Sequence, residues 1–339
     1  GGVCLNEGCI PTKTLLYSAK TYDSAKHASK YAINVSEVSF DLSKIIVRKS
    51  KVVRKLVLGV KAKLASNNVA IVSGEAQIID KNTVRCGEET YEGENLILCT
   101  GSETFIPPIP GVETVNYWTH RDALDNKELP ASLAIVGGGV IGMEFASFFN
   151  SLGVQVTVVE MLDEILGGMD KELSALLRAE YAKRGIKFLL STKVVGLSQT
   201  EGGAVVSYEN AEGSGNVVAE KLLMSVGRRP VTKGFGLENL NLEKTERGAV
   251  KVDEKMQTSV PGVYVCGDLT GFSLLAHTAV REAEVAVHSI LGKEDTMSYR
   301  AIPGVVYTNP EIAGVGETEE SASAKGITCQ VIKDRKSVV

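Results

Sequence analysis

Two cysteines, Cys4 and Cys9, stand five positions apart in the opening stretch GGVCLNEGCIPTK, ahead of Pro11 and Lys13. The 339-residue chain holds only six cysteines, so crowding two of them here calls for a chemical reason. The candidates are a disulfide, half a metal site or two buried thiols. In a regular helix, residues five apart lie about 8–9 Å apart at Cα, beyond the roughly 7 Å that a disulfide tolerates. Either the pair is unbonded or the backbone between them is not a regular helix. Asn6-Glu7-Gly8 has the residue types of a turn, with a regular helix expected from near Pro11. A zinc centre takes about four ligands, and the next histidine or cysteine is His27. Two inert core thiols remain open, although Gly1, Gly2, Gly8 and Pro11 make a poor core strand. A helix N-terminus and Lys13 both lower a thiol pKa and raise its reactivity, which favours a redox pair.

An electron acceptor is signalled further along. Gly137-x-Gly139-x-x-Gly142 follows the apolar run LAIV, opens the segment VIGMEFASFFNSLG, and leads to a second run, VQVTVV, that ends in Glu160. Strand, glycine turn, helix, strand and acid in this order are the fingerprint of a dinucleotide site. The glycines permit a tight turn, close approach to a pyrophosphate and tight helix packing, and the helix N-terminus offers free N–H groups to phosphate. Glu160 suits an adenosine ribose diol and repels a 2′-phosphate. The residues after it, MLDEIL, lack the arginine expected of an NADP site, so NAD is the reading. Two further strand-to-turn junctions stand out, ILCTGS with Thr100, Gly101 and Ser102, and VYVCGD with Gly267 and Asp268. Each alone is weak, and a helix-capping Asp is the bland alternative for Asp268. Together they suggest a second cofactor held from both sides of the NAD unit.

The elements needed to position these residues can be placed coarsely. A helix is expected over 11–30, and another over 41–66, where apolar and basic residues alternate at helical spacing. That basic face reads as solvated rather than as a nucleic-acid patch, because the chain carries a net charge of −4. Short β runs are expected at VAIVSG, AQIID, NTVRC and ENLILCTGS, and PPIP at 107–110 marks a stiff connection. Beyond the NAD turn come a helix near 171–184 and strands near 187–195, 204–208 and 217–226, closed by GRRP. An amphipathic stretch from Leu274 to Leu291 follows, and IPGVVYTNPEIAGVG reads as strands broken by turns.

The acidic balance argues against nucleic acid and anionic membranes as partners, and no apolar run approaches the roughly 20 residues needed to cross a bilayer. Six scattered cysteines do not make a disulfide framework for a chain this long. A reducing, cytoplasmic setting is expected, or the mitochondrial matrix in a eukaryote. The start shows no signal peptide, and both ends read as cut from something longer.

Taken together, GGVCLNEGCIPTK, CTGS, GGGVIGMEFA, VGRRP, YVCGDLTG, LLAH and IPGVVYTNPEIAGVG closely resemble, in order, the class I pyridine nucleotide-disulfide oxidoreductases. Within that family the likeness is greatest to the dihydrolipoamide dehydrogenase branch. The resemblance implies an α/β fold with two Rossmann-like dinucleotide-binding domains, for FAD and NAD, the FAD domain being discontinuous, plus the start of an α+β interface domain. The implied bounds are 1–113 for the first part of the FAD domain and 114–233 for the NAD domain. Residues 234–297 form the second, central part of the FAD domain, and 298–339 the start of the dimerisation domain.

By the same resemblance, Cys4 is the interchange thiol that meets a dithiol substrate and Cys9 the thiol against the flavin. Lys13 lies near the flavin ring, paired with Glu144. Thr100, Gly101, Ser102, Asp268 and the helix start Leu274, Leu275, Ala276 and His277 are implied FAD contacts, with Ala76 a weaker one. Gly137, Gly138, Gly139, Val140, Ile141, Gly142, Met143, Glu144, Glu160, Val194 and Gly227 are implied NAD contacts. The implied reaction passes two electrons from protein-bound dihydrolipoamide through the Cys4–Cys9 disulfide and FAD to NAD+. The partners implied are lipoyl domains of 2-oxo acid dehydrogenase complexes or of the glycine cleavage system, and a second copy in a homodimer.

The pattern also has gaps. The family's first FAD fingerprint, some 30–40 residues before the cysteines, and its later His-Pro-Thr segment with a partnered Glu are not in this sequence. None of His27, His120, His277 or His288 stands in such a segment, so the chain as given is expected to be impaired in the full reaction. A mercuric or glutathione-type reductase, or an incomplete remnant acting as a scaffold, are the competing readings. Glu160 speaks against the NADPH-using glutathione type.

Overall fold

The structure is a computed structural model and describes residues 2–334. Gly1 of the cysteine segment and residues 335–339 at the end of the expected dimerisation region lie outside the described residues.

The N-terminal region is helical, with α1 (Val3–Glu7), α2 (Cys9–Lys26) and α3 (Leu42–Ser66). Helix α2 starts two residues before Pro11 and buries Leu15, Leu16 and Ala19. Asp41 caps α3 by accepting from the Lys44 N–H. Of its 25 residues α3 buries only Leu42, Ile46 and Lys49, so the basic face is solvated, and Val47, Leu58 and Val60 are exposed with it.

A meander of β1 (Ala76–Ile78), β2 (Thr83–Cys86) and β3 (Glu89–Glu92) follows. The expected strand at VAIVSG does not form. Residues 69–74 carry no regular structure and expose Val69, Ile71 and Val72, because an apolar run without a partner strand has no ladder to join. Conversely, β3 is wholly exposed and has no apolar face to betray it. Next come β4 (Leu96–Leu98) and β5 (Ser102–Thr104).

The chain then builds a five-stranded parallel sheet from β6 (Tyr117–Trp118), α4 (His120–Asp125), β7 (Ser132–Val136), α5 (Val140–Ser151), β8 (Gln155–Val159), α6 (Lys171–Lys183) and β9 (Lys187–Leu189). An antiparallel excursion, β10 (Lys193–Thr200), β11 (Gly203–Asn210) and β12 (Gly213–Ala219), precedes β13 (Lys221–Met224), which completes the sheet order β6-β13-β7-β8-β9. The central strand β7 buries Leu133, Ala134 and Ile135 completely, as expected of a strand covered on both faces. Its apolar core joins Phe145, Phe148 and Phe149 of α5 to Leu15, Leu16 and Ala19 of α2. The redox helix is thus packed directly on the helix that opens at the glycine turn.

The remaining elements are β14 (Arg228–Pro230), β15 (Val263–Val265), α7 (Ala276–Ile290), β16 (Gly304–Val306), β17 (Ile312–Gly314) and α8 (Glu319–Ala324). Strand β15 returns to pair in parallel with β4, and β14 pairs antiparallel with β5. Among the described residues no helix is long and apolar enough to cross a membrane.

Candidate active site

Cys4 and Cys9 are joined in a disulfide with Cα atoms 4.5 Å apart. The separation falls far below the regular-helix value because α1 ends and α2 begins on either side of Gly8 (φ −136°, ψ −110°). Gly8 is needed for close approach: a Cβ there would meet Val3 O at 2.9 Å and Cys4 Cα at 3.1 Å. The bend is stitched by Thr12, whose N–H and hydroxyl both donate to Gly8 O at 3.1 and 2.6 Å. Outside the bend, Arg121 grips Glu7 through two hydrogen bonds of 2.7 and 2.6 Å. The Arg121 guanidinium holds the Glu7 carboxyl below its usual range. Nothing in the cysteine segment itself signals Arg121, which lies 114 positions away.

One turn past Cys9, the Lys13 ammonium donates to both carboxylate oxygens of Glu144 at 2.7 Å. Glu144 is 3% exposed and also accepts from the Tyr307 N–H at 3.1 Å. The Lys13 ammonium stands 4.9 Å from the Tyr307 ring centre, a cation–π contact. Glu144 lies in the second turn of α5, so this ion pair ties the disulfide's helix to the NAD-type turn. Tyr307 belongs to the quoted IPGVVYTNPEIAGVG segment, but its contact with Glu144 closes a loop of 163 positions and has no local signature.

In the glycine turn, Gly137 has φ +105° and a Cβ would strike Ser225 O at 2.5 Å. A Cβ on Gly142 would meet Gly137 O at 2.1 Å, so α5 can approach the turn only with glycine there. Gly139 caps α5 with no side-chain hydrogen bond and faces open space, which leaves the first helical N–H groups, from Val140 and Ile141, turned toward a ligand site. Met143 is buried beneath. Glu160 leaves β8 with Oε2 accepting from Gly138 N–H at 2.6 Å and Oε1 from Leu162 N–H at 2.8 Å. Thr192 N–H donates to Glu160 O at 2.9 Å, which brings Val194, two residues on at a bulge of β10, toward the same end. Gly227 (φ +121°) has open space where a Cβ would stand, and its carbonyl accepts from Phe105 N–H at 3.0 Å. These features fit a dinucleotide: open backbone donors at a helix start and a carboxylate at the neighbouring strand end.

The second pair of strand ends is joined by polar contacts. Ser102, at the start of β5, donates to Asp268 Oδ2 at 2.5 Å and accepts from Arg228 Nε at 2.7 Å. Thr100 Oγ1 donates to Val231 O at 3.0 Å, Gly101 O accepts from Val231 N–H at 2.9 Å, and a Cβ on Gly101 (φ +71°) would meet nothing within 4 Å. Leu275 caps α7 with no side-chain hydrogen bond, and Leu274, Leu275, Ala276 and His277 are all exposed. Ala76, at the start of β1, is exposed as well. A carboxylate beside small-residue turns and a helix start without a side-chain cap suit a ligand with hydroxyls and an anionic edge, as FAD has.

His120 was singled out by no motif. It is buried, bonded at Nδ1 to Thr104 Oγ1 at 3.1 Å, and its Nε2 has no partner among the described residues. Burial, with the Arg228 charge adding, pulls its pKa down to about 4, so the ring is neutral at pH 7.

Comparison with known proteins puts this geometry in a family context. A family model described as pyridine nucleotide-disulphide oxidoreductase matches residues 1–283, and that of its dimerisation domain matches 302–336. The chain is 38% identical over 332 residues to the dihydrolipoyl dehydrogenase of Geobacillus stearothermophilus, covering 96% of this chain and 70% of that one. It is 40% identical to the dihydrolipoyl dehydrogenase of Thermus scotoductus, covering 98% and 72%, and 36% identical to mitochondrial dihydrolipoyl dehydrogenase 1 of Arabidopsis thaliana, covering 98% and 67%. Among solved structures, the HOCl-induced flavoprotein disulfide reductase RclA of Escherichia coli superposes with a TM-score of 0.82 at 30% identity, covering 96% of this chain and 71% of that one.

Proposed function

The chain belongs to the pyridine nucleotide-disulphide oxidoreductase family, and on that premise we propose that it oxidises protein-bound dihydrolipoamide to lipoamide at the Cys4–Cys9 disulfide, with NAD+ as final acceptor. The observation that carries this reading is the disulfide set at the start of α2, one turn from the Lys13–Glu144 pair that joins it to the glycine-turn helix.

In the thiol step, one substrate thiolate attacks Cys4 Sγ. The Cys4–Cys9 bond breaks and its electron pair leaves on Cys9 Sγ, where the N-terminus of α2 stabilises the thiolate. The second substrate thiolate then attacks the substrate sulfur bonded to Cys4, which closes the cyclic disulfide and releases Cys4 as a thiolate. The two substrate protons go to a base. Bound FAD supplies the two-electron relay from the reduced cysteines to NAD+. Lys13, Thr100, Gly101, Ser102, Asp268, Ala76 and the α7 start from Leu274 to His277 would hold the flavin. Gly137 to Ile141, Glu160, Val194 and Gly227 would hold NAD, whereas the sequence-expected contacts Gly142, Met143 and Glu144 are buried beneath the turn and support it instead. Glu144 fixes the Lys13 ammonium beside the flavin site, and Arg121 steadies the short helix that carries Cys4.

The match of the dimerisation domain supports a homodimer. The partners are the lipoyl domains of 2-oxo acid dehydrogenase complexes or of the glycine cleavage system, in the cytoplasm or the mitochondrial matrix. The test is dihydrolipoamide-dependent NADH formation by the full-length protein, with Cys9→Ser beside it. Activity that Cys9→Ser abolishes, together with the long-wavelength thiolate–flavin absorption, supports the reading. Activity or absorption that survives Cys9→Ser sinks it.

A further inference from the structure

Residues 161–169 form a strap over the NAD-type glycine turn, running from Glu160 at the end of β8 to Asp170, which caps α6. Leu166 N–H donates to Gly138 O at 2.9 Å, and a Cβ on Gly138 would meet Ile165 Cγ2 at 3.1 Å. Ile165 and Leu166 are both buried. Leu166 holds φ +56°, a left-handed backbone that disfavours leucine and persists only where its neighbours enforce it. The Gly138–Gly139 peptide is trans and planar, so its C=O and N–H point in opposite directions. With Gly138 O held by Leu166, the Gly139 N–H is fixed pointing away from the strap, at the start of α5. A helix start of this kind binds phosphate through its free N–H groups, so their direction matters.

One ion pair anchors the strap. Glu164 Oε1 accepts from the Ile165 N–H at 2.9 Å and from Arg178 Nε at 2.8 Å, while Oε2 accepts from Arg178 Nη2 at 2.9 Å. The Glu164 side chain is 12% exposed. Arg178 rides on α6, whose Leu177 and Tyr181 are buried in the same core as Ile165 and Leu166. A bidentate guanidinium–carboxylate pair fixes direction as well as distance. The strap is thus tied to a packed helix next to the residues that touch the glycine turn.

We propose that Arg178 and Glu164 are positioning residues for NAD: their pair holds the strap on the glycine turn, and the strap fixes the Gly139 N–H for the pyrophosphate. Both residues act through Ile165 and Leu166. Without the pair, the strap loses its tie to α6, and the Gly138–Gly139 peptide is free to turn its N–H out of line. The inference rests on the NAD reading of the turn and is independent of lipoamide as the substrate.

The experiment is calorimetric titration of the full-length, FAD-loaded protein with NAD+ and with ADP-ribose, which keeps the pyrophosphate and lacks the nicotinamide. Arg178→Met is expected to weaken both ligands about tenfold, with unchanged flavin content. Arg178→Lys, which can still donate to Glu164, is expected to recover part of the loss. Glu164→Ala should match Arg178→Met, and the double variant should be no weaker than either single one, because the pair acts as a unit. NAD+ affinity within about twofold of the unmutated protein in Arg178→Met overturns the proposal. So do losses that multiply in the double variant, or a loss of flavin alongside NAD+, which would mark a general structural role. An unmutated protein that binds neither ligand sinks the NAD reading itself, and the proposal with it.

Discussion

The Cys4–Cys9 pair and the Ser102–Asp268 pair bring side chains together by opposite routes. The first is local: five residues, one broken helix, and a glycine whose missing Cβ lets Val3 and Cys4 approach. The second joins residues 102 and 268 through the pairing of β4 with β15, each an apolar run that ends in a small-residue turn. A local pair depends on backbone conformation within one segment and a distant pair on the packing of the whole domain, so different substitutions break them.

Gly8→Val is the most severe test of the local pair. The added Cβ overlaps backbone atoms that cannot swing away, so the disulfide should fail to form and dihydrolipoamide-dependent NADH formation should fall to background. Thiol counting on the denatured protein checks the first outcome and the NADH assay the second. Lys13→Met tests the tie between that pair and the NAD unit. It leaves the Glu144 carboxylate buried with only the Tyr307 N–H, a loss of about 3–5 kcal/mol of stability readable from denaturant unfolding.

His120 bears on the other region, because it hangs on Thr104 of β5, the strand that starts at Ser102. Its pKa drops from 6.5 to about 4 on folding, so the unfolded chain binds the proton first as pH falls. Stability from this group is intact above about pH 6.5 and is lost between there and about pH 4, by about 3 kcal/mol in all. His120→Gln should flatten that part of a stability–pH curve. The smallest effect is expected for Arg121→Ala. Its pair with Glu7 is largely exposed, so a change under about 1 kcal/mol and a few-fold loss of turnover are the outcomes to look for. A larger loss of turnover at unchanged stability would mark Arg121 as a positioning residue for Cys4.

What was legible beforehand follows the same division. The β7–turn–α5–β8 unit and Glu160 were readable because each part is a short-range pattern, and α6 ended within one residue of its expected bound. The region before the NAD unit was read less well. VAIVSG has the composition of a strand and found no partner, while ETYE became β3 without any apolar alternation, because pairing alone recruits an edge strand. The Arg121 grip on Glu7, the Tyr307 contact with Glu144 and the Thr104 bond to His120 join residues with no spacing in common.

The sequence by itself determined the chemistry on offer: two close cysteines with a glycine between them, a glycine turn, an acid after the second strand. Those depend on residue type and local backbone freedom, which travel with the segment. Only the tertiary structure decided which of these groups meet. Packing α2 against α5 set Lys13 on Glu144, and returning β15 to β4 set Asp268 beside Ser102. Those contacts come from burying apolar faces far apart in the chain, and no local pattern encodes where such faces meet.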